Sequence, residues 1–243
     1  MRKIPAFMLV VFLVLGLSLA ASADTIEPGQ IMLQIGGDFQ VFDMGLVNVD
    51  GKEAYNLASA FSNGGGASIQ VNGLANPDPA IAWGLTAINP TANPLNFGFM
   101  LAIPIALGNV PTIVNASISG GLTDFTADPV GVAITPFNQP DIQVNFADGF
   151  TWGVGPAAVF GPTFPGALYV YGAHLFGPAA GPNGPLAIFG ETVSFTLTPN
   201  GDIASLTGYC RIDAVPLPTT LFTLGAGVLG LALATRRRKQ DRP

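Results

Sequence analysis

One cysteine and one histidine are all that 243 residues contain. A single cysteine forms no bridge within the chain, so a disulfide scaffold is excluded. Zinc sites built from Cys and His, and catalysis that needs several histidines, lack the raw material. Charge is scarce too, at 10% of residues, and basic residues number nine against fifteen acidic ones. The resulting net charge of −6 argues against nucleic acid as a partner, because phosphate binding relies on basic surface. Little charge does not mean disorder here: 49% of residues are apolar, enough to build a core.

What is present concentrates first at the two ends. Met1-Arg2-Lys3 precedes an apolar run from Phe7 to Ala20 and then Ala21-Ser22-Ala23. A basic start, a short hydrophobic stretch and an Ala-x-Ala site make a secretory signal peptide, with cleavage expected between Ala23 and Asp24 by signal peptidase. An uncleaved anchor is the competing reading, and the apolar run is short for a span. At the other end, Val215-Pro216-Leu217-Pro218 leads into seventeen uncharged residues, Thr219 to Thr235, followed by Arg236-Arg237-Arg238-Lys239. At about 1.5 Å per residue that stretch just spans a hydrocarbon core. The basic cluster stays cytoplasmic and places the rest of the chain on the outer face of the inner membrane. Pro216 and Pro218 cannot extend the helix backwards and leave a protease-accessible segment.

This three-part tail resembles the PEP-CTERM sorting signal of Gram-negative bacteria that make exopolysaccharide. In that family a short proline motif, a hydrophobic helix and an Arg-rich end are recognised by exosortase, a membrane-embedded thiol protease. The resemblance covers 215–238, and Leu217 stands where the family has an acidic residue, a familiar variant. It implies exosortase as a partner and association with exopolysaccharide and biofilm. An ordinary C-terminal anchor behind a proline stop remains the competing reading. Gly225-Ala226-Gly227-Val228-Leu229-Gly230 matches a dinucleotide fingerprint but sits inside the apolar stretch, where small residues serve close helix contact.

The expected organisation is a signal peptide at 1–23, an exported domain at 24–212 and a sorting tail at 213–243. The tail comprises the motif 215–218, the transmembrane helix 219–235 and the basic end 236–239. Between Asp24 and Val215 the chain holds 14 carboxylates and only Lys52 and Arg211 as bases, a balance of −12. Its pattern is strand-like almost throughout. Ile142 to Phe146 and Thr192 to Thr198 alternate with period two, which puts one row in a core and the other in water. Ten further short runs read the same way, divided by turn signals such as Asp50-Gly51, Asp148-Gly149 and Asn200-Gly201. Only Glu53 to Phe61 reads as a short helix. Gly155 to Pro185, with five Gly-Pro pairs, reads as long loops flanking one strand, and Asp213 to Pro218 as the tether. The fold class is therefore all-β: an antiparallel β-sandwich, jelly-roll-like, between signal peptide and C-terminal helix.

Chemistry is sparse. Alternation puts His174 on the face opposite Tyr169 and Tyr171, and no Gly-x-Ser-x-Gly elbow offers it a serine. Cys210, beside Arg211, reads as an idle thiol at the end of the last strand rather than a reactive one. Asp50, Asp78, Asp148 and Asp202 sit in turns, where carboxylates accept backbone hydrogen bonds. Asp124, Asp128 and Asp141 are a candidate Ca²⁺ set on acidity alone; otherwise no metal or cofactor is expected. Trp83, Trp152, Tyr169, Tyr171 and Phe150 are candidates for a sugar-stacking platform or for core. The expectation is a non-enzymatic, exosortase-sorted surface or matrix protein with a structural or adhesive role. A carbohydrate-binding module is the alternative, discriminated by exposed coplanar rings. A secreted hydrolase is a third, requiring two converging carboxylates or His174 with a serine.

Overall fold

The computed structural model describes residues 26–126, 131–161 and 164–215. The signal-peptide region with Ala21, Ala23 and Asp24 lies outside the described residues. So do Pro216, Leu217 and Pro218, the apolar stretch 219–235, and Arg236, Arg237, Arg238 and Lys239. The chain divides after Asp213 into two units, and the first of them holds the packed sheets. No helix forms among the described residues, and none is long and apolar enough to cross a membrane.

Sixteen strands follow one another: β1 (Gln30–Ile35), β2 (Asp38–Asp43), β3 (Gly45–Val49), β4 (Lys52–Asn56), β5 (Ser59–Ser62), β6 (Ser68–Asn76), β7 (Ala80–Asn89), β8 (Leu95–Leu107), β9 (Thr112–Asp124), β10 (Ala133–Pro136), β11 (Gln143–Ala147), β12 (Phe150–Val154), β13 (Ala158–Val159), β14 (Ala167–Ala180), β15 (Leu186–Leu197) and β16 (Asp202–Ala214). They form two sheets. The first has the order β12-β11-β15-β8-β1-β2, with β10 pairing β15 and β13; the second has the order β14-β9-β16-β7-β6-β4-β3, with β5 on β6. The antiparallel pairs β7–β16, β8–β15, β9–β14 and β11–β12 are nested like the turns of one rolled-up hairpin. Successive pairs fall in alternate sheets, which is the jelly-roll connection. Strands β1 to β6 widen both sheets on one flank.

Local chemistry explains the reversals. The β3–β4 and β11–β12 hairpins are closed by Asp50-Gly51 and Asp148-Gly149, all four residues at positive φ. That is the type I′ geometry whose twist matches the strands, and Asp and Gly adopt it at low cost. Inside, the rows Ile81, Trp83, Leu85 and Ala87 of β7, Phe97, Phe99, Leu101 and Ile103 of β8, and Phe189, Val193, Phe195 and Leu197 of β15 are buried. Trp83 meets Phe99 edge-on at 5.2 Å, Phe97 stacks on Phe195, and Trp152 stacks on Phe189 at 6.2 Å. Each such side chain contributes roughly 1.5–3 kcal/mol through removal from water.

Four details differ from the sequence reading. Glu53–Phe61 is not a helix: Ala54 and Leu57 are buried while β4 and β5 both pair with β6, and the Asn56 side chain accepts the Ala58 N–H at the break between them. Strands β12 and β13 lie in stretches read as loop, and β16 carries on through Asp213 and Ala214, which the sequence assigned to the tether. In β11 the alternation is present but inverted: Gln143 and Asn145 lie in the core row opposite Val193 and Glu191. Phe146 instead covers Gly190 on the outer face. Finally, a register shift between Val170 and Gly172 moves His174 onto the same side of β14 as Tyr171, so that the rings lie 4.8 Å apart.

One end of the sandwich is tied by a single side chain. Buried Asn89, at the end of β7, donates from Nδ2 to the carbonyls of Asn93, Leu197 and Thr198 at 3.0–3.1 Å. Its Oδ1 accepts from the Thr91 backbone and hydroxyl. This fastens the β7–β8 connection to the β15–β16 connection. Replacing Asn89 with Ala strands several carbonyls and is expected to cost about 2–3 kcal/mol by urea denaturation. Asn72→Ala, on the exposed face of β6, is expected to stay within about 0.5 kcal/mol of the parent.

Candidate functional site

The most distinctive cluster in the described residues is polar and lies between the sheets. Glu191 belongs to the inward row of β15 and is fully buried. The Trp83 indole N–H, from β7 in the facing sheet, donates to its Oε1. The Cys210 thiol, from β16, donates to Oε2 at 3.2 Å. Burial is the dominant influence and pushes the carboxyl from an ordinary 4.5 up to about 8, against the two hydrogen bonds. Glu191 is therefore mainly a neutral acid at pH 7. Burial, and then the neighbouring carboxyl, raises the Cys210 thiol well above its usual range, so the thiolate is suppressed.

Adjoining residues extend the seam. Asn145 stands opposite Glu191 in the β11–β15 register. Gln143 Nε2 donates to Asn145 Oδ1 at 3.0 Å and to the Tyr209 carbonyl of the facing sheet at 3.4 Å, while Asn145 Nδ2 donates to the Trp152 carbonyl. Gly208, paired with Trp83, lets the indole lie against the β16 backbone; a Cβ there would collide with the ring. These bonds join the two sheets through their middle. Glu191 has Trp83 and Cys210 as its side-chain partners and no second carboxylate among them, which a glycosidase pair requires.

The other candidates are dispersed. His174 Nε2 lies 3.2 Å from the Tyr171 carbonyl. Tyr171 is buried, and its hydroxyl donates to the Pro156 carbonyl at 2.8 Å; burial and then the charge of Asp141 raise its phenol. Asp124 is buried at the end of β9, Asp128 lies outside the described residues, and no group of three or more His, Cys, Asp or Glu able to hold a metal ion forms among the described residues. Trp83 and Trp152 are only 3% and 4% exposed, so these rings fill the core and form no platform. Tyr169 is half-buried, stacked on Phe160 at 4.8 Å. Glu191 itself was detectable in the sequence: the alternation of Val193, Phe195 and Leu197, run back one step, puts a glutamate in the core row.

The sorting tail follows the fold without a spacer. Ile212 is the last buried residue, its N–H bonded to the Pro79 carbonyl at 2.9 Å. Arg211 and Asp213 form a half-exposed ion pair at 2.6 Å, and Val215 is already exposed. Residues 214–239 match the family model of the PEP-CTERM protein-sorting motif. The chain carries an exosortase sorting signal. The match runs from the last residue of β16 to Lys239, the last of the basic cluster, and marks an exported protein directed to exosortase for processing at the membrane. No curated protein matches the chain. Among solved structures, that of infectious bursal disease virus Gx strain is similar at 11% identity over 86% of this chain and 72% of that one, with a TM-score of 0.14, and carries no argument.

The buried acid has a measurable consequence. Its folded pKa of about 8 lies above its ordinary 4.5, so the native state keeps a proton that the unfolded chain releases. The stability it contributes is complete below about pH 4.5, falls as pH rises towards 8, and levels off above that. The loss has a slope of at most about 1.4 kcal/mol per pH unit. Denaturation midpoints compared with those of Glu191→Gln across this range are expected to show the parent losing stability relative to the variant as pH rises, the variant lacking this decline.

Proposed function

We propose that this is a non-enzymatic cargo of the exosortase pathway, a structural or adhesive β-sandwich delivered to the cell surface or the extracellular matrix. Signal peptidase cleavage between Ala23 and Asp24 starts its export, and the helix at 219–235 holds the precursor in the inner membrane with Arg236, Arg237, Arg238 and Lys239 inside. Exosortase then acts at Val215-Pro216-Leu217-Pro218. The resemblance of the tail to signals in exopolysaccharide-producing bacteria supports an association with exopolysaccharide or biofilm.

The observation that carries this reading is the match over 214–239, joined to the point where the sandwich ends. The last core side chain is Ile212, and the motif begins three residues later. Processing within the motif would remove no buried residue of the sandwich, so a cleaved product keeps its complete fold. Scarcity of charge in the core, a high strand content and a neutral, hydrogen-bonded Glu191 are consistent with a durable extracellular module rather than one built around a reactive centre.

Intact mass of protein recovered from cells and from medium tests the proposal. The expected species lacks residues 1–23 and ends near Val215–Pro218. Deleting residues 216–243 is expected to abolish sorting and leave the sandwich folded. If that truncated protein still reaches the same location in processed form, sorting does not depend on the tail and the proposal fails.

A further inference from the structure

The charges of the sandwich are unevenly placed. Between Asp148 and Glu191 the chain runs 42 residues without Asp, Glu, Lys or Arg, although the segment Asp24 to Val215 carries a balance of −12. Those residues build one flank. β12 is an edge of the first sheet and β14 an edge of the second, while β13 beside them adds Phe160, stacked on Tyr169 of β14. Tyr171 and Tyr169 of β14 donate to the carbonyls of Pro156 and Gly161, closing the same flank. The opposite edges, β2 and β3, lie next to Asp38, Asp43, Asp50, Lys52 and Glu53.

We propose that the uncharged flank is a homodimer interface in which β14 pairs antiparallel with β14 of a second copy about a two-fold axis. Edge strands of soluble proteins are normally guarded by charge, and β2 and its neighbours are. The regular stretch Gly172–Phe176 of β14, between two register shifts, has no charged side chain and no second strand partner among the described residues. Leu168, Val170 and Leu175 of β14 are 72%, 76% and 78% exposed, and Val159 and Phe164 are also open on the same flank. At roughly 60–120 Å² of apolar area per side chain, five of them and the unpaired backbone approach the ~800 Å² per partner of a stable interface.

Charge selects the occupant. Two copies of a domain this acidic repel each other over most of their surfaces, and the flank without carboxylates is where that repulsion is least. An edge strand is self-complementary under a two-fold axis, with the same backbone groups presented by both copies. Pairing about the middle of Gly172–Phe176 brings Ala173 and Leu175 of one copy beside those of the other. It also joins the second sheets of the two copies into one continuous sheet.

Sedimentation of the full-length chain in mild detergent, at about 100 µM, tests this. The parent and Val41→Lys, a change on the opposite edge strand β2, are expected to sediment as dimers. Leu175→Lys is expected to weaken dimerisation at least about a hundredfold, since it sets like charges against each other in a desolvated contact. Circular dichroism of Leu175→Lys should match the parent because the side chain is exposed. Hydrogen exchange should show amides of Gly172–Phe176 slowing with concentration in the parent and not in Leu175→Lys. A monomeric parent at this concentration, or a dimer untouched by Leu175→Lys, overturns the proposal; in the second case the copies associate through another surface.

Discussion

The place of β16 governs the architecture. The last strand of the sandwich lies inside the second sheet, between β7 and β9, rather than at a rim. Until it inserts, β7 and β9 are separated by a gap, Trp83 lacks the flat backbone of Gly208 beneath its ring, and Glu191 lacks the Cys210 thiol. Pairing between strands so distant in sequence costs loop-closure entropy before its contacts offset it. The cargo therefore completes its core with residues lying directly before the sorting motif, and the motif is attached to a strand held on both sides.

The polar seam sets the sheets against each other in a way that apolar packing alone does not. A purely aliphatic interface tolerates sliding by small amounts, whereas the bonds of Glu191 and Gln143 reach groups fixed on β7 and β16. Burying the acid carries a desolvation cost, limited here because the group is held neutral and both of its oxygens accept hydrogen bonds. The gain is registry: Trp83, Gly208 and Glu191 fit in one relative placement of the sheets.

Much of this was legible in the residues. Turn pairs such as Asp50-Gly51 and the alternating runs located most strands, because short-range backbone chemistry decides both. The faces of β11 were not legible, because period two gives two rows without saying which is inside. Val144 and Phe146 are the natural guess for the core row, and the seam that draws in Gln143 and Asn145 is assembled from β7, β15 and β16, far away in the chain. The side of β14 on which His174 lies turned on a bulge at Gly172, which shifts parity by one residue with no effect on hydrophobicity. The sorting signal was the most readable feature, being linear: its proline, apolar and basic parts are recognised in order and need no tertiary partner.

Cys210 has a consequence for life outside the cytoplasm. An exported protein meets oxidants and foreign thiols, and an odd sulfur on its surface invites mixed disulfides and covalent aggregates. Here the sulfur is sealed between the sheets, and its proton is kept in place by the neighbouring acid. The same contact that aligns the sheets thus keeps the molecule redox-inert, allowing it to persist in air-exposed surroundings without a partner for its only sulfhydryl.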